Sequence, residues 1–202
     1  MKRIAFALLG FSTAVCVTHP AEANGFLLNE TSPRAIGQGE SVVADGSAPS
    51  TLFYNPAGMT RLDGLQIEAS GSFYLAKNAF TPESTGVRET AKTSLYPMPA
   101  GFVTYKPLSW LSVGLGGYSA YGLGVEWKKG WTGSHLVEKS ELISYTLQPS
   151  LAVGPWKGLS IGAGVDLLFG ALEMSRALPL GGNNPAGTFK LGGKAGGVGA
   201  NF

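Results

Sequence analysis

The sequence predicts an all-β fold: an antiparallel transmembrane β-barrel, of which these 202 residues supply about five to six strands behind a compact N-terminal segment. Three observations carry that prediction. Five stretches alternate apolar with small or polar residues at a period of two, and all five keep the same parity. The chain opens on a secretion-type leader. After that leader no window holds the eighteen or more apolar residues of a spanning helix, so any membrane crossing is made by strands. A strand sends successive side chains to opposite faces, which gives each stretch an oily side for lipid and a small or polar side for an enclosed space.

Lys2 and Arg3 precede an apolar run over 4–17, and Ala21-Glu22-Ala23 closes it with a small-x-small cleavage pattern. Residues 1–23 therefore read as a signal peptide, with a mature start near Asn24. The chain's one cysteine, Cys16, falls inside this leader. Val15 before it breaks a lipoprotein-type cleavage box, so no lipid anchor is expected. A mature chain without cysteine needs no disulfide framework and offers no thiol ligand.

Residues 24–63 show no sustained period and are rich in turn formers, among them Ser32-Pro33, Gly37-Gln38-Gly39 and Asp45-Gly46-Ser47. Short helical turns are expected around 41–44 and 50–54. This segment is read as a unit distinct from the wall, and residues 64–202 as the first strands of the wall.

The first predicted strand places Leu65, Ile67, Ala69, Phe73 and Leu75 outward. A second, weaker one covers about 98–106. The third covers 111–125, with Leu111, Val113, Leu115, Tyr121, Leu123 and Val125 on its oily face. The fourth covers about 142–153. The fifth is the clearest: Leu159, Ile161, Ala163, Val165, Leu167, Phe169 and Ala171 alternate with Ser160, Gly162, Gly164, Asp166, Leu168 and Gly170. A sixth begins near Lys194. Short connections at 107–110 and 154–158 alternate with long polar ones at 77–97, 126–141 and 178–190, the division between periplasmic and external ends of outer-membrane barrels. Trp110 and Trp156 would then sit in an interfacial girdle. A water-soluble β-sandwich also alternates, but long faces of small residues suit a lumen better than a solvated surface.

Composition excludes several classes. The formal net charge is +2 with no basic block, so no nucleic-acid partner is expected. His135 stands alone in a long polar loop, and no G-x-S-x-G elbow or His/Cys ligand cluster accompanies it. The glycine pairs Gly114/Gly116 and Gly162/Gly164 lie inside strands and open no helix, so a dinucleotide site fails its context test. Neither enzyme activity nor a cofactor is expected. On local chemistry Asn55-Pro56-Ala57 reads as a helix start or turn. Gly116-Gly117 and Ser119 interrupt the third strand and mark either a harmless irregularity or a deliberate kink.

Taken in order, Asn24-Gly25-Phe26, Arg34-Ala35-Ile36-Gly37, Asn55-Pro56-Ala57-Gly58, Tyr121-Gly122-Leu123 and the stretch 159–176 resemble the FadL-type transporters of long-chain fatty acids, a group that includes porins for aromatic hydrocarbons. The resemblance implies a many-stranded outer-membrane barrel of a Gram-negative cell, plugged by an N-terminal hatch over 24–63. It implies gating at Asn55, Pro56 and Ala57, and an inward kink of the third strand at Ala120, Tyr121 and Gly122. Arg176 would face the carboxylate of a fatty acid. Leu123, Val125, Trp127, Trp131 and Leu136 would help capture an apolar molecule. The implied activity is passive diffusion of hydrophobic compounds, with hatch rearrangement opening a sideways exit through the kinked wall into lipid. The implied partners are that apolar ligand and outer-membrane lipid, and the full-length protein would be a monomer.

A wall with two unpaired edges is costly in hydrocarbon, because each unsatisfied backbone group there costs several kcal/mol. The chain is therefore expected to be part of a longer protein or a truncated reading frame, and the functional expectations describe the parent. The alternatives are an adhesin-type surface barrel without transport and a non-functional fragment. An adhesin has no use for a plug carrying Asn55-Pro56-Ala57.

Overall fold

The computed structural model describes residues 27–179 and 185–202. The leader and the Asn24-Gly25-Phe26 start lie outside the described residues. The alternating stretches form one antiparallel sheet of seven strands in the order β1-β4-β5-β7-β8-β9, with β6 also paired to β7. These are β1 (Leu65–Ala76), β4 (Ser94–Leu108), β5 (Leu111–Tyr118), β6 (Gly122–Glu126), β7 (Lys139–Trp156), β8 (Leu159–Pro179) and β9 (Pro185–Asn201). A small hairpin of β2 (Ala79–Phe80) and β3 (Glu89–Thr90) forms inside the long loop between β1 and β4.

Register turns the alternation into two surfaces. Leu65, Tyr105, Val113, Leu151 and Ala163 lie in one row across five strands, and Gln66, Thr104, Gly114, Ser150 and Gly164 lie in the next. The first row faces out and the second faces in. Ile67 is 70% exposed and Thr104 only 1%. A one-residue slip would exchange these faces, so the pattern itself pins the pairing.

The structure corrects the expected strands in three places. The second strand runs from Ser94, well before residue 98, in spite of Pro97 and Pro99. The ladder from β4 to β5 stops at Ala100–Tyr118, so beyond that point these prolines deprive no neighbour on that side of a bond. The third stretch is broken between Tyr118 and Gly122, and its parity flips across the break. Gly122 pairs with Ile143, Leu123 with Leu142 and Val125 with Ser140. Val125 thus joins the inward row instead of the expected oily face, and Leu123 takes the matching register position. Residues 119–121 act as a bulge, and an inserted residue reverses a period of two. Finally, β9 begins at Pro185, ahead of the expected start near Lys194, and its inward residues are odd-numbered: Phe189 pairs with Arg176 and Gly199 with Asp166. Its glycines hid the alternation. The 178–190 connection is shorter than expected, and residues 180–184 lie outside the described residues.

The N-terminal segment packs against the inner face. It carries α1 (Pro33–Gly37), α2 (Thr51–Tyr54) and a 3-10 turn (Pro56–Arg61). Pro33 sits at the first turn of α1, and Ser32 Oγ accepts from Arg34 N at 3.2 Å. The helix expected at 41–44 is a turn closed by Asp45 N donating to Val42 O. The core lies between this segment and the wall, where Leu52 and Met59 are fully buried beside Phe102 and Tyr118.

Candidate functional site

Two junctions join the N-terminal segment to the wall. The first lies near the short turns. A Cβ on Gly162 would overlap the backbone of Pro56 and Ala57, and one on Gly114 would overlap Leu52 and Met59. The inner face is small because the N-terminal segment lies directly on it. Its polar residues then satisfy carbonyls of that segment that would otherwise be buried unpaired. Lys106 Nζ donates to Thr60 O at 2.8 Å, Ser112 Oγ to Met59 O at 3.2 Å and Gln148 Nε2 to Leu52 O at 3.2 Å. Asn201 Nδ2 donates to Phe53 O at 2.7 Å. Asn55 is held on both sides: its Oδ1 accepts from Ala57 N at 3.1 Å and its Nδ2 donates to Val43 O at 3.0 Å.

Charge within the plug is unevenly placed. Burial raises the Glu40 carboxyl above the ordinary glutamate range, and the nearby charge of Glu30 adds to this. Burial also pushes the Tyr54 phenol up to about 12. Asp45 is held down to about 2 by hydrogen bonds from Ser47 and then Arg34, whose Nε lies 2.6 Å from Oδ2.

The second junction is the break between β5 and β6. Ser144 of β7 replaces the missing ladder: its Oγ accepts from Tyr121 N at 2.9 Å and donates to Tyr121 O at 2.8 Å. Ser119 Oγ donates to Ser144 O at 2.5 Å. The start of the described N-terminal segment reaches the same place, with Leu28 N donating to Ala120 O at 2.8 Å and Leu27 bridging Tyr121.

Beyond this break β4 and β6 are not hydrogen-bonded to each other, because β4 pairs there only with β1 and β6 only with β7. A cavity of about 590 Å³ occupies the seam. Its lining mixes outward residues (Leu95, Ile143, Tyr145) with inward ones (Tyr96, Met98, Leu142), so the cavity spans the thickness of the wall. Leu28 of the plug also lines it.

Of the residues singled out from sequence, Tyr121, Gly122 and Val125 line this cavity, and Ala120 sits at the break. Asn55, Pro56 and Ala57 are at the other junction, against Gly162, and do not line it. Arg176 shares the inward row of β8 with Asp166, and its guanidinium lies 5.5 Å from the centroid of Phe189. Trp127 and Trp131 are stacked on each other at 4.1 Å, and Trp131 meets Phe80 edge-on at 5.8 Å. They bind two loops together, whereas Leu136 is 68% exposed. Leu28, Tyr96, Met98 and Ser144 were not singled out. The visible signal was the pair Pro97 and Pro99 inside a strand, which marks a sheet edge.

Comparison with known proteins agrees with this architecture. Residues 14–199 match the family described as outer membrane protein transport protein (OMPP1/FadL/TodX). A protein of Neisseria meningitidis serogroup B named as an outer membrane protein, NMB0088, is 32% identical over 133 residues, covering 60% of this chain and 28% of its own. The crystal structure of a Pseudomonas aeruginosa FadL homologue superposes with a TM-score of 0.60 at 19% identity, covering 88% of this chain and 49% of that one. The chain thus spans about a quarter of the first relative's length and about half of the second's.

Proposed function

Because this chain belongs to the OMPP1/FadL/TodX family of outer membrane transport proteins, we propose that the whole protein carries hydrophobic molecules, long-chain fatty acids first among them, passively across the outer membrane and releases them sideways through the seam between β4 and β6. The single observation behind this reading is the interrupted ladder at Ser119–Tyr121, which leaves a cavity lined by residues of both wall faces. An apolar molecule gains by leaving a plugged lumen for lipid without crossing water. A sheet closed by continuous hydrogen bonds offers no such path.

The N-terminal segment is the hatch in this reading. Leu27 and Leu28 bond to the backbone at the kink, so a shift of the hatch changes what borders the cavity. Asn55, Pro56 and Ala57 anchor the other end of the hatch and set the fulcrum of that shift. Arg176 at the inward rim offers a charge-assisted bond to a carboxylate. Leu123 and Val125 lie on β6, and Trp127, Trp131 and Leu136 in the loop that follows it, where an apolar molecule entering from the loops would meet them.

The test is oleate uptake by a Gram-negative host that expresses the full-length protein. A Cβ on Gly122 already comes within 3.0 Å of Leu28 Cδ1, so Gly122→Phe fills the seam. Uptake should fall by about tenfold or more while surface assembly stays intact, the order expected when a few atoms block an apolar passage. Unchanged uptake in an assembled variant removes the lateral route.

A further inference from the structure

The seam is closed by side chains, Tyr96 foremost. Tyr96 projects inward from β4 and lies against β6: a Cβ placed on Gly124 would overlap its phenol, coming 2.5 Å from Cε1. Met98 fills the next position along, and a Cβ on Gly122 would sit 3.3 Å from its Cε. No backbone ladder joins the two strands here, so these side chains are what separates the lumen side from the lipid side.

The frame around them is fixed at both ends. At the inner end Ser144 holds Tyr121 by two backbone bonds. At the loop end the two sides are latched. Lys92 N donates to Glu126 O at 2.8 Å and their side chains form an ion pair. Thr132 N and Oγ1 donate to Glu89 at 3.0 and 3.1 Å, and Phe80 packs on Trp131. Phe80, Glu89 and Lys92 belong to the β4 side of the seam, and Glu126, Trp131 and Thr132 to the β6 side. The result is a framed window with a single aromatic ring across it.

We propose that Tyr96 is the specificity-determining residue of this window, and that the seat of its ring on Gly124 sets the cross-section of the apolar cargo that passes. The inference rests on the lateral exit proposed above. A ring can swing between staggered rotamers without breaking any ladder bond, because neither flanking strand is hydrogen-bonded across the seam. Glycine at 124 leaves the space for the closed position; any side chain there drives the ring into the cavity.

The experiment compares uptake of dodecanoate with that of 12-(1-pyrenyl)dodecanoate through the full-length protein in a host without its own uptake route. Tyr96→Ala should raise the pyrenyl-to-plain ratio by about threefold or more, and Tyr96→Trp should lower it, since small changes in an apolar constriction alter discrimination by that order. A ratio unchanged in both surface-assembled variants overturns the proposal. Should Tyr96→Ala fail to assemble, Gly124→Ala replaces it, with a lowered ratio expected and an unchanged one overturning the assignment.

A block of the seam itself separates this inference from its premise. Gly122→Phe puts a ring against Leu28 and Met98, inside the frame. If it stops uptake of both probes in a surface-assembled protein, the window is in use, and an unchanged ratio in the Tyr96 variants then counts against Tyr96 alone. If uptake of both probes persists, the lateral route and the role of Tyr96 fall together.

Discussion

At the end of the wall near the 107–110 and 154–158 turns, every strand from β4 to β8 is laddered to its neighbour and the hatch lies on bare glycines. At the loop end the same wall has a gap between β4 and β6, spanned by a tyrosine, an ion pair and packed loop aromatics. Both regions must satisfy buried polar groups and exclude water, and they do so by different means. Backbone ladders and glycine seats are cooperative, so opening one costs its neighbours as well. Side-chain contacts open one at a time. Under the proposed lateral release, the wall would stay sealed through the first and open through the second.

Three substitutions or conditions would break or sharpen that contrast. The largest effect is expected from Leu52→Ala. Leu52 is a hatch residue fully buried against the wall, so its truncation should cost about 3 kcal/mol in urea unfolding. It should also expose the hatch to protease, while the pyrenyl-to-plain uptake ratio stays at the wild-type value. A normal unfolding midpoint would mean that the hatch is not seated as described. A smaller effect, about 1–2 kcal/mol, is expected for Ser144→Ala, which leaves both backbone groups of Tyr121 without that hydroxyl. Here amide exchange at 119–122 should quicken and exchange in β8 should not. Equal acceleration in both would show that the kink is no weaker than the rest of the wall.

The smallest effect is one of pH. Asp45 has a folded pKa depressed to about 2, chiefly by its bond from Ser47 and then by Arg34. Its contribution is present above the ordinary aspartate range and is lost as pH falls toward about 2. Glu40, raised by burial, works in the opposite sense: hatch packing gains as pH falls through its raised value. Protease release of the hatch between pH 5 and 2 should therefore flatten in Asp45→Asn, and identical profiles would remove Asp45 from the hatch's acid response.

Much of the wall was legible in the chain. Lipid and lumen make opposite demands on successive residues, so Ile161, Ala163 and Val165 could be assigned to one surface and Gly162 and Gly164 to the other without coordinates. Gly162 shows where that reading stopped. Its smallness announced an inner face, but its contact with Pro56 and Ala57 depends on a segment more than a hundred residues earlier. The kink was visible as Gly116-Gly117-Ser119, yet its consequence was not. Whether Val125 faces out or in depends on how many residues the break absorbs, and the two hydrogen bonds between Ser144 and the backbone of Tyr121 hold that count. β9 was mostly missed because a strand with glycine on both faces has no alternation to read. Tyr96 looked like any inward residue of a weak strand.

Sequence alone determined the strand-built wall, its two surfaces and its family, because each is written in local periodicity or in ordered short motifs. Tertiary structure decided the seam, its tyrosine and its latch. These depend on which backbone groups go unpaired across distant strands, and pairing between strands is a property of register in three dimensions that no local pattern records.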